Sequence, residues 1–297
     1  MIIVFGALNL DLVAQVPRLP SPGETLGARG FEMLPGGKGA NQALAARRAG
    51  AEVRLFGHVG DDAFAAQVLA LLREDGVDLA GVRVARQASG LALIAIDDAG
   101  DNTITIVTGA NAASTASQVP DALLQPGTTL VLQLELAMAE VAALAQRAHA
   151  NGARVILNAS PVQRLPASLL DDCDVIVVNQ SEGDALARQR GVADAAALCR
   201  SIAAPRRLVA VTLGACGVLY ASGGDARIRP SPPVQVVDSV GAGDAFIGVL
   251  AAALDRGADI ERAIREALAA GALACTGVGA QAPLPTRAAI DALAKTL

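Results

Sequence analysis

Short β-branched runs alternate with alanine- and leucine-rich stretches along most of this chain, and that rhythm constrains the fold more than any other feature. The runs fall at residues 2–5, 53–56, 130–132, 155–157, 175–178 and 208–212. Between several of them, residues 40–49, 63–74, 138–150 and 194–203 carry apolar positions at helical spacing. Strand–helix alternation of this kind predicts an α/β fold, a mainly parallel sheet covered by helices on both faces. Ligands of such sheets bind beyond the carboxyl ends of the strands.

The core must be filled by small aliphatic side chains, because 53% of the 297 residues are hydrophobic but only 2% are aromatic and none is Trp. That suits helices packed on a parallel sheet. No uninterrupted apolar run is long enough to predict a membrane span. Met1-Ile2-Ile3-Val4 leads straight into a strand without a basic lead, so no signal peptide is expected. A net charge of -5 with no basic run argues against a nucleic-acid partner. Cys173, Cys199, Cys216 and Cys275 are widely spaced, which predicts free thiols and a cytoplasmic protein. His58 and His149 are the only histidines, which argues against a Ser-His-Asp or multi-His metal site.

One region breaks the rhythm. Residues 91–96 and 103–107 flank a turn-rich tip at 97–102 and read as a hairpin. Residues 12–31 also read as extended, with turn signals at Pro17, Pro20 and Pro22-Gly23. Together, from about 11–32 and 91–108, they predict a small β-layer apart from the main sheet. It reads either as a lid that keeps water from a reacting group or as a peripheral hairpin without function.

Asp238-Ser239-Val240-Gly241-Ala242-Gly243-Asp244 carries the strongest chemical signal. Three small residues precede an acid at the start of a predicted helix over 245–253. Small residues let backbone N–H groups approach a ligand, and a helix N-terminus adds unsatisfied donors and a positive dipole end. An acid held there can take a proton from an attacking hydroxyl, so the segment fits phosphoryl transfer. It also fits a plain glycine-rich turn with Asp244 as a helix-start residue. Gly36-Gly37-Lys38-Gly39-Ala40-Asn41-Gln42 is a second glycine cluster leading into a helix, and it is neither a Walker A loop nor a dinucleotide fingerprint. Asn9-Leu10-Asp11 places two polar side chains after the first strand, where Asp11 can accept two hydrogen bonds from vicinal hydroxyls. Polar groups end later strands too: Gln133-Leu134-Glu135, Asn158-Ala159-Ser160, Asn179-Gln180-Ser181-Glu182 and Thr212-Leu213-Gly214. Glu182 with Asn179 can orient metal-bound water or simply cap a helix.

These residues together resemble the PfkB carbohydrate kinase family, and within it the ribokinase branch. The resemblance spans nearly the whole chain: residues 6–11, Pro22-Gly23-Glu24-Thr25, 36–42, 57–62, Gly109-Ala110-Asn111-Ala112-Ala113, Asn179 with Glu182, 212–214, 238–244 and Gly279-Ala280-Gln281. It implies a three-layer α/β/α domain whose β-sheet lid also forms a homodimer interface. It implies transfer of the ATP γ-phosphate to the 5-hydroxyl of ribose; a nucleoside, fructose or a keto-deoxy sugar acid is the alternative acceptor within the family. By matched position, Asp244 is the base and Gly241, Ala242 and Gly243 form the anion hole. Asn9, Asp11, Gly37, Lys38, Asn41 and Glu135 hold the sugar. Asn179 and Glu182 serve the Mg²⁺–phosphate region, and Thr212, Gly214 and Gly243 the nucleotide.

The same resemblance implies potassium activation through the loops at 238–240 and 274–283, with the Asp238 carboxylate and the carbonyls of Val240, Ala274, Gly277 and Gly279 as ligands. Three departures stand out. Pro283 lies where the branch often has a side-chain oxygen near the cation. Ile247 replaces a frequent Asn. Leu268 replaces a polar residue near the adenine, which leaves mainly apolar contacts to the base. A catalytically weak sugar- or nucleotide-binding protein is a separate reading, opposed by the intact Asp244 and glycines.

Overall fold

The computed structural model describes residues 1–204, 207–223 and 226–297. The chain runs through β1 (Ile2–Phe5), β2 (Asn9–Gln15), β3 (Gly30–Gly36), α1 (Lys38–Arg48), β4 (Val53–Gly60), α2 (Ala63–Val68), α3 (Ala70–Glu74) and β5 (Asp78–Ala85). A hairpin of β6 (Gly90–Ile96) and β7 (Asn102–Val107) follows. Next come β8 (Thr129–Leu132), α4 (Met138–Ala150), β9 (Arg154–Asn158), α5 (Ala167–Asp171), β10 (Val175–Asn179), α6 (Gln180–Gln189), α7 (Ala195–Ile202) and β11 (Leu208–Thr212). The last elements are β12 (Val218–Ser222), β13 (Arg227–Arg229), α8 (Ala242–Asp255), α9 (Ile260–Ala274) and α10 (Arg287–Ala294).

Among the described residues, nine strands form the central sheet in the order β13-β12-β11-β10-β9-β8-β1-β4-β5. The pairs from β11 to β5 are parallel, and β12 and β13 close one edge antiparallel. Strand alternation divides the core in two. Ile2 and Val4 face one apolar layer with α1, α8 and α9, whereas Ile3 and Phe5 face another with α4 and α7. Both faces are therefore dry, as the continuous apolar strands require. Strand order reverses at β1: the chain moves to β4 on one side and later returns through β8 on the other. Such a switch point opens a crevice at the strands' carboxyl ends.

A second sheet has the order β3-β2-β6-β7, with β2 parallel to β6. Three sequence expectations need correcting. The extended stretch at 12–31 is strand only at its ends, because its prolines and glycine interrupt pairing between β2 and β3. The single helix at 63–74 is broken at Leu69 into α2 and α3. Asn9 and Asp11 do not close the first strand; they lie in β2, the first strand of the small sheet, where pairing with β3 and β6 draws them. No helix among the described residues is long and apolar enough to cross a membrane.

Candidate active site

Asp244 is the third residue of α8 and is buried. Its Oδ2 accepts from Asn41 Nδ2 at 2.9 Å and its Oδ1 from Gln42 Nε2 at 2.8 Å. Helix α8 begins at Gly241, in the left-handed region with φ +78°, and no side chain caps it. The first-turn N–H groups therefore have no capping side chain to compete with a ligand. Any Cβ on Gly241 would meet Ala280 Cα at 2.7 Å, so only glycine allows this turn to rest on the 279–281 segment.

Helix α1 starts in a comparable way. Gly37 has φ +87°, and a Cβ there would lie 2.7 Å from Ala7 O and Asn9 N. The start of α1 is thus pressed against the segment leaving β1, at the switch point. The Lys38 N–H donates to Glu135 Oε2 at 2.9 Å, which joins α1 to the segment after β8.

Five charged groups converge here, Asp11, Lys38, Glu135, Glu182 and Asp244. Burial pushes the Asp11 carboxyl up to about 7, and the negative charges of Glu135 and Asp244 add to the effect. Burial likewise raises the Glu135 carboxyl, against the pull of Lys38. Burial disfavours the charge on Lys38, yet Asp244, Glu135 and Glu182 outweigh it and raise the ammonium above an ordinary lysine. Three carboxyl groups around one ammonium make a pocket suited to hydroxyl donors on one side and an anion near Lys38 on the other.

A cleft of about 800 Å³ opens beside them. Lys38, Asp244, Gly241, Ala242 and Gly243 line it together with Asn179, Glu182, Thr212 and Gly214. Its far wall is apolar, with Val234, Val236, Ile247, Leu268 and Ala272. Asn9, Asp11, Gly37, Asn41 and Glu135 are not part of that lining; Lys38 and Asp244 belong to both groups. Asn179 and Glu182 cap α6 reciprocally, with Asn179 Oδ1 accepting the Glu182 N–H at 2.8 Å and Glu182 Oε2 accepting the Asn179 N–H at 3.0 Å. The cap and the cleft-lining position coexist.

Asp238 joins two loops: its Oδ1 accepts the Val240 N–H at 3.0 Å and its Oδ2 the Gly279 N–H at 2.9 Å. Pro283 packs against Gly277, where a Cβ would meet the Pro283 ring at 2.9 Å.

Several functional contacts escape the sequence. Asn111 donates to Leu8 O at 3.2 Å and accepts from the Leu8 N–H at 3.0 Å, a side chain pairing with both polar groups of one backbone residue. It also donates to Asn9 Oδ1 at 2.8 Å, which fixes how Asn9 presents its amide. Gln42, Gln133, Asn158 and Gln281 are buried polar residues around Asp244 and Asn41. Each lies in a motif or at a polar strand end that the sequence marks, but their convergence on Asp244 and Asn41 is set only by the fold.

Residues 1–287 match the family described as pfkB family carbohydrate kinase. The chain belongs to the pfkB family of carbohydrate kinases. It is similar to the ribokinase of Bacillus subtilis, 36% identical over 98% of each chain. It is also similar to the deoxyribokinase of Salmonella typhi, 34% identical over 96% of this chain and 95% of that protein. The structure of Arabidopsis thaliana ribokinase complexed with ribose and ATP superposes with a TM-score of 0.88, 31% identity and coverage of 99% of this chain and 98% of that one. This chain has a mainly parallel central sheet flanked by helices, as its structural relatives indicate, and a second, small sheet.

Proposed function

We propose that this kinase transfers the γ-phosphoryl group of ATP to the 5-hydroxyl of D-ribose. The observation that carries the reading is the position of Asp244: its carboxylate is held by α1 beside the carboxyl-lined pocket, at the uncapped start of the helix that lines the cleft. Ribose lies against Asn9, Asp11, Gly37, Lys38, Asn41 and Glu135, with its vicinal hydroxyls donating to Asp11. ATP fills the cleft, its base on the apolar wall around Leu268 and its phosphates over Gly241, Ala242 and Gly243, with Asn179, Thr212 and Gly214 alongside.

Asp244 takes the proton of the 5-hydroxyl as its oxygen forms a bond to the γ-phosphorus. The bond from that phosphorus to the β,γ-bridging oxygen breaks, and ADP leaves. The α8 N–H groups and Lys38 face the oxygens on which charge develops. The donor set fits two ions. Glu182 would hold Mg²⁺ through water, since that hard cation keeps several waters and binds phosphates. The Asp238 carboxylate with the carbonyls of Val240, Ala274, Gly277 and Gly279 suits a monovalent cation such as potassium, since all are oxygen donors. Mg²⁺ held there would supply charge neutralisation for the phosphates, and a monovalent cation would brace the loop before α8.

The single kinase domain 1–297 carries its lid in the small sheet, which also forms a homodimer. Exposed Phe31, Met33, Leu93, Ile104 and Ile106 on that sheet support the second role. Work in the reducing cytoplasm is supported by four unpaired cysteines.

The test is ADP release with MgATP and a panel of ribose, 2-deoxyribose, fructose, adenosine and a keto-deoxy sugar acid, each with and without potassium. The account predicts the highest kcat/KM on ribose. A preference for 2-deoxyribose or another acceptor retains the chemistry and overturns the substrate. No turnover on any of them overturns the reading.

A further inference from the structure

Gln42 has contacts that none of these roles covers. It follows Asn41 on α1 and is 1% exposed. Its Nε2 donates to Asp244 Oδ1 at 2.8 Å and to Asn158 Oδ1 at 3.0 Å, and its Oε1 accepts from Gln133 Nε2 at 2.8 Å. The chemistry admits one orientation. An ionised carboxylate only accepts, so Gln42 must turn its nitrogen to Asp244. Its oxygen then faces Gln133, whose nitrogen must face back. The amide dipoles run in one direction from Gln133 through Gln42 to Asp244, an arrangement in which hydrogen bonds reinforce one another.

Close helix packing makes the contact possible. Gly248 lies one turn beyond Asp244 on α8, and a Cβ there would meet Gln42 O at 2.5 Å and Ala45 Cβ at 2.6 Å. With α8 this close to α1, consecutive residues Asn41 and Gln42 grip the carboxylate from two sides, one on each oxygen. They are the only side chains that hydrogen-bond Asp244 among the described residues. The charged groups facing it are Asp11 on β2, Lys38 at the start of α1 and Glu135 after β8. Neutral amides fix the carboxylate's direction without the direct cationic contact that would oppose proton uptake.

We propose that Gln42, anchored by Gln133 and Asn158, is the positioning residue that holds the Asp244 carboxylate aimed at the acceptor hydroxyl. The proposal rests on Asp244 being the base. It assigns the last residue of the glycine-rich 36–42 motif to the chemical step rather than to sugar binding or folding.

The test compares Gln42→Met, which keeps the volume and removes the donors, with Gln42→Glu, which keeps the shape and adds a negative charge. Turnover of ribose and MgATP is followed from acid to alkaline pH, with thermal melting to confirm folding. Asp11 titration enters through ribose affinity, so kcat at saturating ribose isolates the base. The expected result for Gln42→Met is a kcat lower by about 10- to 100-fold with ribose KM unchanged within about two-fold. Its acid limb of kcat moves to higher pH by about one unit, because the one hydrogen bond that Gln42 donates to the charged form is gone. Gln42→Glu moves the limb further in the same direction and regains turnover as pH rises. Gln133→Met, one bond farther out, gives a smaller shift of the same sign. A folded Gln42→Met with native kcat and an unmoved limb overturns the proposal; should that variant not fold, unmoved limbs in Gln42→Glu and Gln133→Met do so. Asp244→Asn, run alongside, separates the two claims. Retained turnover in Asp244→Asn sinks the base assignment, whereas an inactive Asp244→Asn beside a native-like Gln42→Met sinks the positioning role alone.

Discussion

Asn41 Nδ2 reaches Asp244 Oδ2 at 2.9 Å, joining two helix starts that are 203 residues apart in the chain. The opposite side of Asn41 is engaged as well, since its Oδ1 accepts from Gln281 Nε2 at 3.0 Å. Gln281 belongs to the same loop as Gly279, whose N–H is held by Asp238. Asp244 is thereby tied through two side-chain hydrogen bonds to the loop proposed to hold a monovalent cation.

That tie makes the cation response testable. At equal ionic strength, potassium chloride raises turnover over tetramethylammonium chloride by about five-fold or more in the native chain, the scale of a typical site–site coupling. Asp238→Ala removes the enhancement and lowers the basal kcat. An equal response in Asp238→Ala places the cation elsewhere.

Asp11 predicts a pH dependence in sugar binding. Only the ionised carboxylate accepts from both hydroxyls, so ribose KM rises as pH falls through about 7. Asp11→Asn binds ribose weakly and without that dependence. The stability sign is opposite. A carboxyl whose native value lies above its ordinary 3.8 stabilises fully below 3.8, and the contribution is lost as pH rises toward 7. Sugar-free Asp11→Asn should therefore melt higher than the native chain at pH 8, with the gap closing on acidification. Melting curves across pH, with and without ribose, check both.

Asn111 sits outside the chemistry but governs Asn9. Asn111→Ala strands both polar groups of Leu8 and frees the Asn9 side chain. The expected cost is about 1–3 kcal/mol in urea unfolding. Ribose KM rises about tenfold, while the nucleotide KM stays near native. Parallel losses for both substrates would point to general unfolding instead.

Glu266 tests the packing of the last helices. Its side chain is only 3% exposed and pairs with Arg256 at 2.6 Å, Arg262 at 2.9 Å and Arg287 at 2.8 Å. Burial opposes its charge, but Arg287 and Arg262 win and hold the carboxyl below its ordinary 4.5. Glu266→Gln leaves Arg256 and Arg262 without their paired carboxylate, while Arg287 keeps Asp291, and destabilises by about 3 kcal/mol. The deficit is full above 4.5 and shrinks as pH falls below it. Urea midpoints at pH 7 and pH 4 read the difference.

How far the sequence could be read follows from what is local. Strands β1, β8, β9, β10 and β11 are uninterrupted apolar runs and are legible directly. Strand β5 is interrupted by Gly81 and Arg83, and β13 is three residues with two arginines, so neither carries a strand signal; both lie at sheet edges, where charge is tolerated. Asp244 is legible because its glycines are contiguous with it. The grip of Gln42 on Asp244 spans 202 residues and depends on Gly248 bringing two helices together, which no local pattern encodes. The same holds for Asn111 and Leu8, 103 residues apart. The charge on Lys38 belongs to this class too, since Asp244, Glu135 and Glu182 meet it only in the fold.

The most direct test of the central claim is Asp244→Asn, assayed for MgATP-dependent turnover of ribose and, in parallel, for ribose binding by calorimetry. The account predicts ribose affinity close to native with kcat reduced by about 10²- to 10⁴-fold, the usual contribution of a general base. Turnover close to native in a variant that still binds ribose would contradict it, because the proton of the 5-hydroxyl would then have another acceptor.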